Sequence, residues 1–260
     1  MNRKLAFASL GLIAAVFVFR PAAAEAAEVR LLCAVAMKSA VSELASSFEH
    51  ATGNKAEVTY GTAGVLRDKI RNGEAFDVAL LPTPYIDPLV AEGVIETGSV
   101  VVLARSLVSV GVRAGSPKPD ISTVRAFKQA LLSAKSITYA DPAKGGGSGI
   151  QAEKVIEALG IAEEMKPKTK LVPGPESVDL VANGEAEMAL VNTPVIVAKK
   201  GVELVGPIPS ELYDTKNFAF KIGIAAMTKQ PVAAKALIQY LSAPNASRVF
   251  KAHGVEPGPG

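Results

Sequence analysis

The chain has 260 residues, about half of them hydrophobic and a fifth charged, which is enough apolar material for a substantial core and excludes a disordered chain. Its formal net charge is +3, with basic residues scattered, few aromatics and no tryptophan, so the basic stripe and stacking platform of a nucleic-acid binder are missing. A single cysteine, Cys33, excludes an internal disulfide, and no His or Cys spacing suits a metal or cofactor.

The first 27 residues read as a secretory signal peptide. Arg3 and Lys4 precede an apolar run from Leu5 to Phe19, Arg20 and Pro21 close it, and small residues follow at Ala22 to Ala24, Ala26 and Ala27. The run is shorter than the roughly 20 residues that cross a bilayer. The mature chain is expected to start near Glu25 to Glu28, without a lipid anchor, as a periplasmic monomer.

Short apolar strands then alternate with helical patterns. Val29 to Val35 reads as a strand carrying a buried Cys33, and Ser39 to Thr52 as a helix with Val41, Leu44, Ala45 and Phe48 on one face, ended by Gly53. Strands follow at Ala56 to Tyr60 and Val78 to Leu81, with helices at Val65 to Asn72 and Tyr85 to Glu92. Asp77 is expected to have a structural partner. Continuous apolar strands between helices imply a parallel sheet covered on both faces.

Val100 to Val112 reads as one longer strand, closed by the breakers Gly115 to Asp120, after which the alternation restarts. Helices are expected at Ser122 to Ser133, Ile150 to Leu159 and Ser177 to Asn183, with strands at Ser136 to Tyr139, Lys170 to Val172 and Met188 to Val191. Phe218 to Ala226 is a last strand, Val232 to Leu241 and Ala246 to Ala252 are helices, and Glu256 to Gly260 reads as a loose tail. His50 and His253 fall at helix ends. The leftover strand and helices cannot form a domain alone. The expected fold is therefore α/β with two lobes: 28–105 and the returning 217–260 in the first, 106–216 in the second. Crossings are expected near Leu103 to Val110 and near Asn217 to Ile224.

Open α/β sheets bind ligands beyond the carboxyl ends of their strands, where helix N-termini offer unpaired amides and a partial positive charge. Four loops meet that description: Ala36-Met37-Lys38-Ser39, Gly61-Thr62-Ala63-Gly64, the glycine-rich Asp141 to Gly149 with Lys144, Ser148 and Gly149, and Pro173-Gly174-Pro175-Glu176-Ser177. Asn192 and Thr193, just after a strand, add to the same edge. Ser39 and Ser177 also suit helix capping. The candidate ligand-binding set is thus Met37, Lys38, Ser39, Thr62, Ala63, Gly64, Ser148, Gly149, Glu176, Ser177, Asn192 and Thr193, two loops from each lobe.

These segments resemble the periplasmic molybdate- and tungstate-binding proteins. The likeness covers nearly the whole mature chain and rests on Ala34 to Leu44 with Phe48, on Gly61 to Leu66 with Ile70, Gly73 and Phe76-Asp77-Val78, on Ala140-Asp141-Pro142 through Ser148-Gly149-Ile150, on Gly184-Glu185-Ala186 to Asn192, and on Ala246 to Gly254. It implies a type II periplasmic-binding fold, no catalytic role, and membrane permease and ATPase partners of an ABC importer. In the molybdate proteins a serine hydroxyl from each of the first two loops holds the oxyanion. Here those positions fall on Ala36 and near Ala63 or Gly64, and a late tyrosine falls on Asn192. The expected guest is accordingly a small anion, either an oxyanion or an organic carboxylate. Some proteins similar to this family isomerise aconitate, which would need a base such as Lys38 or Glu176. A ligand sensor feeding a membrane receptor is a third expectation.

Overall fold

The computed structural model describes residues 26–212 and 219–258. The segment before residue 26, expected to be a signal peptide, Asn217 and Phe218 of the expected second crossing, and the last two residues lie outside the described part. No described helix is long and apolar enough to cross a membrane.

The first half alternates β1 (Glu28–Ala34), α1 (Lys38–Thr52), β2 (Lys55–Gly61), α2 (Ala63–Arg71), β3 (Val78–Pro82), α3 (Thr83–Ala91) and β4 (Val101–Arg105). The middle holds β5 (Val108–Arg113), α4 (Val124–Ser133), β6 (Ile137–Ala140), α5 (Gly147–Ala158), α6 (Ala162–Met165), β7 (Thr169–Val172), α7 (Ser177–Ala182), β8 (Met188–Asn192), α8 (Thr193–Val197) and β9 (Val202–Pro207). The chain closes with β10 (Ala219–Ile224), α9 (Pro231–Leu241), α10 (Pro244–Ala252) and β11 (Glu256–Pro257). Two sheets result, ordered β11-β4-β10-β3-β1-β2 and β7-β6-β8-β5-β9.

Central β1 shows why the apolar runs are strands. It pairs in parallel with both β2 and β3, setting Leu31 against Val58 and against Val78, and leaves Leu31 and Cys33 fully buried. Burial pushes the Cys33 thiol far above its usual range, so it is an inert core group. Helix α1 packs Ala40, Val41, Leu44 and Phe48 onto this sheet, with Phe48 edge-on to Tyr240 at 5.5 Å. It stops at Gly53, whose φ of 76° needs no Cβ and whose N–H donates to the Glu49 carbonyl. Buried Asp77 ties the first strands to the returning segment: its carboxylate accepts from the Arg30 N–H at 2.8 Å and from the Thr228 hydroxyl at 2.7 Å.

Three expectations are corrected. The sheets are mixed rather than parallel, because β10 runs antiparallel to β3 and β4, and β5 antiparallel to β8 and β9. Val100 to Val112 is two strands in two sheets: the chain leaves the first sheet after Arg105 and enters the second at Val108, with Ser106 buried in the crossing. The tail is no loose end. Glu256 and Pro257 pair with Arg105 and Ala104, and the Gly258 N–H donates to the Leu103 carbonyl. Pairing of this kind needs backbone rather than a hydrophobic pattern, which is why a Pro/Gly-rich stretch gives it no signal. Both histidines do sit at helix ends, and His253 lies 2.8 Å from the Glu43 carboxylate on α1.

Candidate functional site

The carboxyl ends of the two sheets face one another, and the loops that leave them enclose a cavity of about 590 Å3. Its walls are mostly carbon. The β1–α1 loop gives Ala34 to Ala36, the β2–α2 loop gives Gly61 to Ala63, and the N-terminus of α5 gives Gly146 to Ser148. Gly174 and Pro175 come from before α7, and Val191 and Asn192 from the end of β8. Two contributors gave no signal in the sequence: the β3–α3 corner, Pro82 to Tyr85, and Phe220 on the returning strand. In composition Pro82 and Pro84 are a plain strand stop. That a stop at a strand's carboxyl end also faces the cleft is a property of topology, which local composition does not carry.

Four helices start at this cavity without a side-chain cap. Thr62, Pro82, Gly146 and Asn192 hold the N-cap positions of α2, α3, α5 and the single-turn α8, and none caps its helix through a side chain. Contrast α4, away from the cleft, where the Thr123 hydroxyl accepts from the Ala126 N–H at 3.1 Å. At α2, α3 and α5 the first-turn amides keep their donor capacity, apart from that of Gly64, which is bonded to the Gly145 carbonyl, and Pro84, which has none, and the helix dipole is directed at the cavity. Several side-chain polar groups of the wall are already engaged. Thr83 donates to the Ala219 carbonyl, the Asn192 amide donates to the Ser106 hydroxyl at 3.4 Å, and Asp87 is paired with Lys221 at 2.7 Å. Lys154 reaches the wall from α5 and forms no ion pair among the described residues.

The two halves touch beside the cavity. The Gly64 N–H donates to the Gly145 carbonyl at 3.2 Å, and the Thr62 hydroxyl donates to the Lys144 carbonyl at 3.3 Å. A Cβ on Gly64 would stand 2.5 Å from the Gly145 Cα, so the approach is possible only for glycine. Beyond this seam lies an outer chamber of about 740 Å3 that shares Val35, Gly61, Thr62, Tyr85 and Gly174 with the inner one. Its walls carry charge: Lys38, Arg67 and Lys144, with Asp68 and Glu176. Burial pushes the Tyr60 phenol there up to about 12, and raises that of Tyr85 as well.

The candidate residues therefore separate. Thr62, Ala63, Ser148 and Asn192 line the inner chamber; Lys38, Thr62, Gly64 and Glu176 line the outer one. Met37, Ser39, Gly149, Ser177 and Thr193 line neither. Met37 is fully buried in the first core. Ser39 is the second residue of α1 and caps nothing, since Met37 holds the N-cap position. Gly149 is a packing glycine: a Cβ there would fall 1.6 Å from the Ala140 carbonyl oxygen. Ser177 is no cap either. It opens α7 from inside the core, and its hydroxyl has no partner among the described residues. The Thr193 hydroxyl is spent within its own lobe, on the Ser109 hydroxyl at 2.8 Å and the Leu107 carbonyl at 3.2 Å.

Residues 29–256 match the family described as bacterial extracellular solute-binding protein. The chain belongs to this family. Among its relatives, an aconitate isomerase of a Pseudomonas species is 30% identical over 225 residues, which cover 84% of each chain. A molybdate-binding protein of Azotobacter vinelandii is 30% identical over 240 residues, covering 89% of this chain and 91% of the relative. The solved sulfate-binding protein of Mycobacterium tuberculosis superimposes with a TM-score of 0.73 at 16% identity, over 89% of this chain and 87% of that one. A solute-binding family accounts for the two-lobed α/β architecture, and places the cleft between the sheets where such a fold receives its guest.

Proposed function

We propose that the protein is exported to the periplasm, captures a small organic anion between its lobes, and delivers it to the permease and ATPase subunits of an ABC importer. One observation carries this reading: uncapped N-termini from both halves, α2 and α3 on one side and α5 on the other, open onto a single cleft between them. Amides aimed from two sides suit a negatively charged group, and the carbon walls of the cleft displace part of the water that would weaken the attraction. The volume lies within the roughly 300–1,000 Å3 common for organic ligands, and the walls are mostly carbon. A bare tetrahedral oxyanion has no hydrocarbon to set against such walls, whereas a carboxylate with a carbon body does. Ala36, and Ala63 or Gly64, where the molybdate-like pattern has hydroxyls, agree with that preference.

Thermal denaturation against a panel of organic acids, oxyanions, sugars and amino acids tests the reading. A guest at ~100 times its dissociation constant adds ~2.7 kcal/mol to stability, a shift of several degrees. At least one organic acid should produce it. Stabilisation by sugars or neutral amino acids alone would rule the anion assignment out.

A second reading rests on the aconitate isomerase relative together with the charged outer chamber, which Lys38 and Glu176 line from opposite halves. Moving a proton along an allylic acid needs a base near the substrate carbon, and Lys38 or Glu176 could serve. Incubation with trans-aconitate, followed by ultraviolet absorbance, separates an enzyme from a carrier. Turnover that disappears in either Lys38→Ala or Glu176→Gln favours the enzyme; constant absorbance favours the carrier.

A further inference from the structure

We propose that the outer chamber is a second anion subsite, so that the guest is an organic acid with two anionic groups: one held by the amides of the inner chamber, the other by the lysines of the outer one. This deepens the reading above and rests on it. The two chambers are built differently. The inner offers carbon, backbone amides and one lysine without an ion pair among the described residues, Lys154, with its acid Asp87 neutralised by Lys221. The outer presents three cations against two carboxylates.

Those cations are held in place. Lys38 sets its ammonium 5.8 Å from the centre of the Tyr60 ring, and Arg67 its guanidinium 5.7 Å from that of Tyr85. Each ring face attracts the charged head itself and holds it at the chamber wall. Arg67 is offset by Asp68 at 2.7 Å, while Lys38 and Lys144 form no ion pair among the described residues. Lys38 and Lys144 also come from opposite lobes, on either side of the seam made by Gly64 and Gly145. A second anionic group between them would attract both halves, adding to closure what the backbone seam supplies with a single amide and a single hydroxyl. A guest with one anionic group leaves those two lysines unused.

Titration calorimetry at low salt on the full mature chain tests this, using butyrate, succinate, tricarballylate, phosphoglycolate, sulfate and molybdate as probes. At least one probe with two or more anionic groups on a carbon body should bind about tenfold or more tighter than butyrate, a gap of one charge-assisted contact. In the double variant Lys38→Gln, Lys144→Gln that ratio should fall to within about threefold, and raising the salt should erode it in the parent protein. Succinate against phosphoglycolate tells whether the outer group is a carboxylate or a phosphate. Both lysines are exposed, so circular dichroism and the melting temperature without probe should match the parent. Equal binding of butyrate, tighter binding of sulfate or molybdate, or a ratio unmoved in the double variant overturns the second subsite and leaves anion capture standing. If none of the six probes binds, the anion reading itself falls, and the proposal with it.

Discussion

Glycines of the run that leads into α5 do two opposite kinds of work, one of them shared with the short glycine loop before α2. Gly146 and Gly149 are turned inward. Side chains there would strike Ala140 of their own lobe, at 2.6 Å from its Cβ and 1.6 Å from its carbonyl oxygen. Gly64 and Gly145 are turned outward, and meet one another across the cleft at a distance that admits no Cβ on either. The first pair makes a lobe; the second pair makes a contact between lobes. Threonines divide in the same way, with Thr193 bonded within the second lobe and Thr62 reaching across to Lys144. The chemistry of a residue type therefore says less about its role than whether its partner belongs to the same half.

The sharpest way to break that comparison is to add one methyl group on each side of it. At Gly149 the new Cβ meets a carbonyl of β6 inside a packed lobe, and neither α5 nor β6 is free to withdraw. Overpacking costs about 1–3 kcal/mol and sometimes more, and an approach this close puts Gly149→Ala at or beyond the upper end. The urea midpoint should fall accordingly, with little urea needed to unfold what remains. A loss under about 1 kcal/mol would show that α5 can shift freely and that Gly149 has no packing duty.

Gly64→Ala should separate stability from binding. Position 64 lies in the first turn of α2, where alanine is favoured over glycine by roughly 0.5–1 kcal/mol. The lobe should therefore melt no lower than the parent. Its Cβ strikes the Gly145 backbone only when the halves meet, so the cost appears on closure. Affinity for the guest should drop about tenfold or more, equivalent to about 1.4 kcal/mol. A variant that binds as the parent does would show that the seam takes no part in the bound state.

Much of this architecture was legible because buried parallel strands announce themselves. Leu31 to Ala34, Val78 to Leu81 and Met188 to Val191 are unbroken apolar runs, and each is central in its sheet. Strands held by partners were harder to see. β9 has a half-exposed pattern at a sheet edge, and β11 is defined only by backbone bonds to β4. Within the site, loops at strand ends were legible as loops, since glycine and small residues mark them. Which face of a loop meets the cavity was not: Lys38 and Met37 are neighbours, yet one stands on the chamber wall and the other in the core. Thr83 and Phe220 were invisible for a related reason, because only the return of β10 beside β3 brings residue 220 to the cleft.

The smallest effects come from one substitution made at two places. Thr193→Val removes a hydroxyl that bonds Ser109 and the Leu107 carbonyl, and Ser109 is fully buried. Stranding a buried hydroxyl costs about 1–3 kcal/mol, so this variant should lose stability whether or not a guest is present. Thr62→Val removes a single 3.3 Å bond at the open seam, where water replaces the lost partner. Its urea curve should overlay that of the parent without a guest, and only the dissociation constant should move, by a factor of a few. Because both variants keep nearly the same shape and volume, packing does not differ between them. If both instead lowered the urea midpoint equally, Thr62 would be bonded within its own lobe in solution, and the two halves would not meet at Gly64 and Gly145 before a guest arrives.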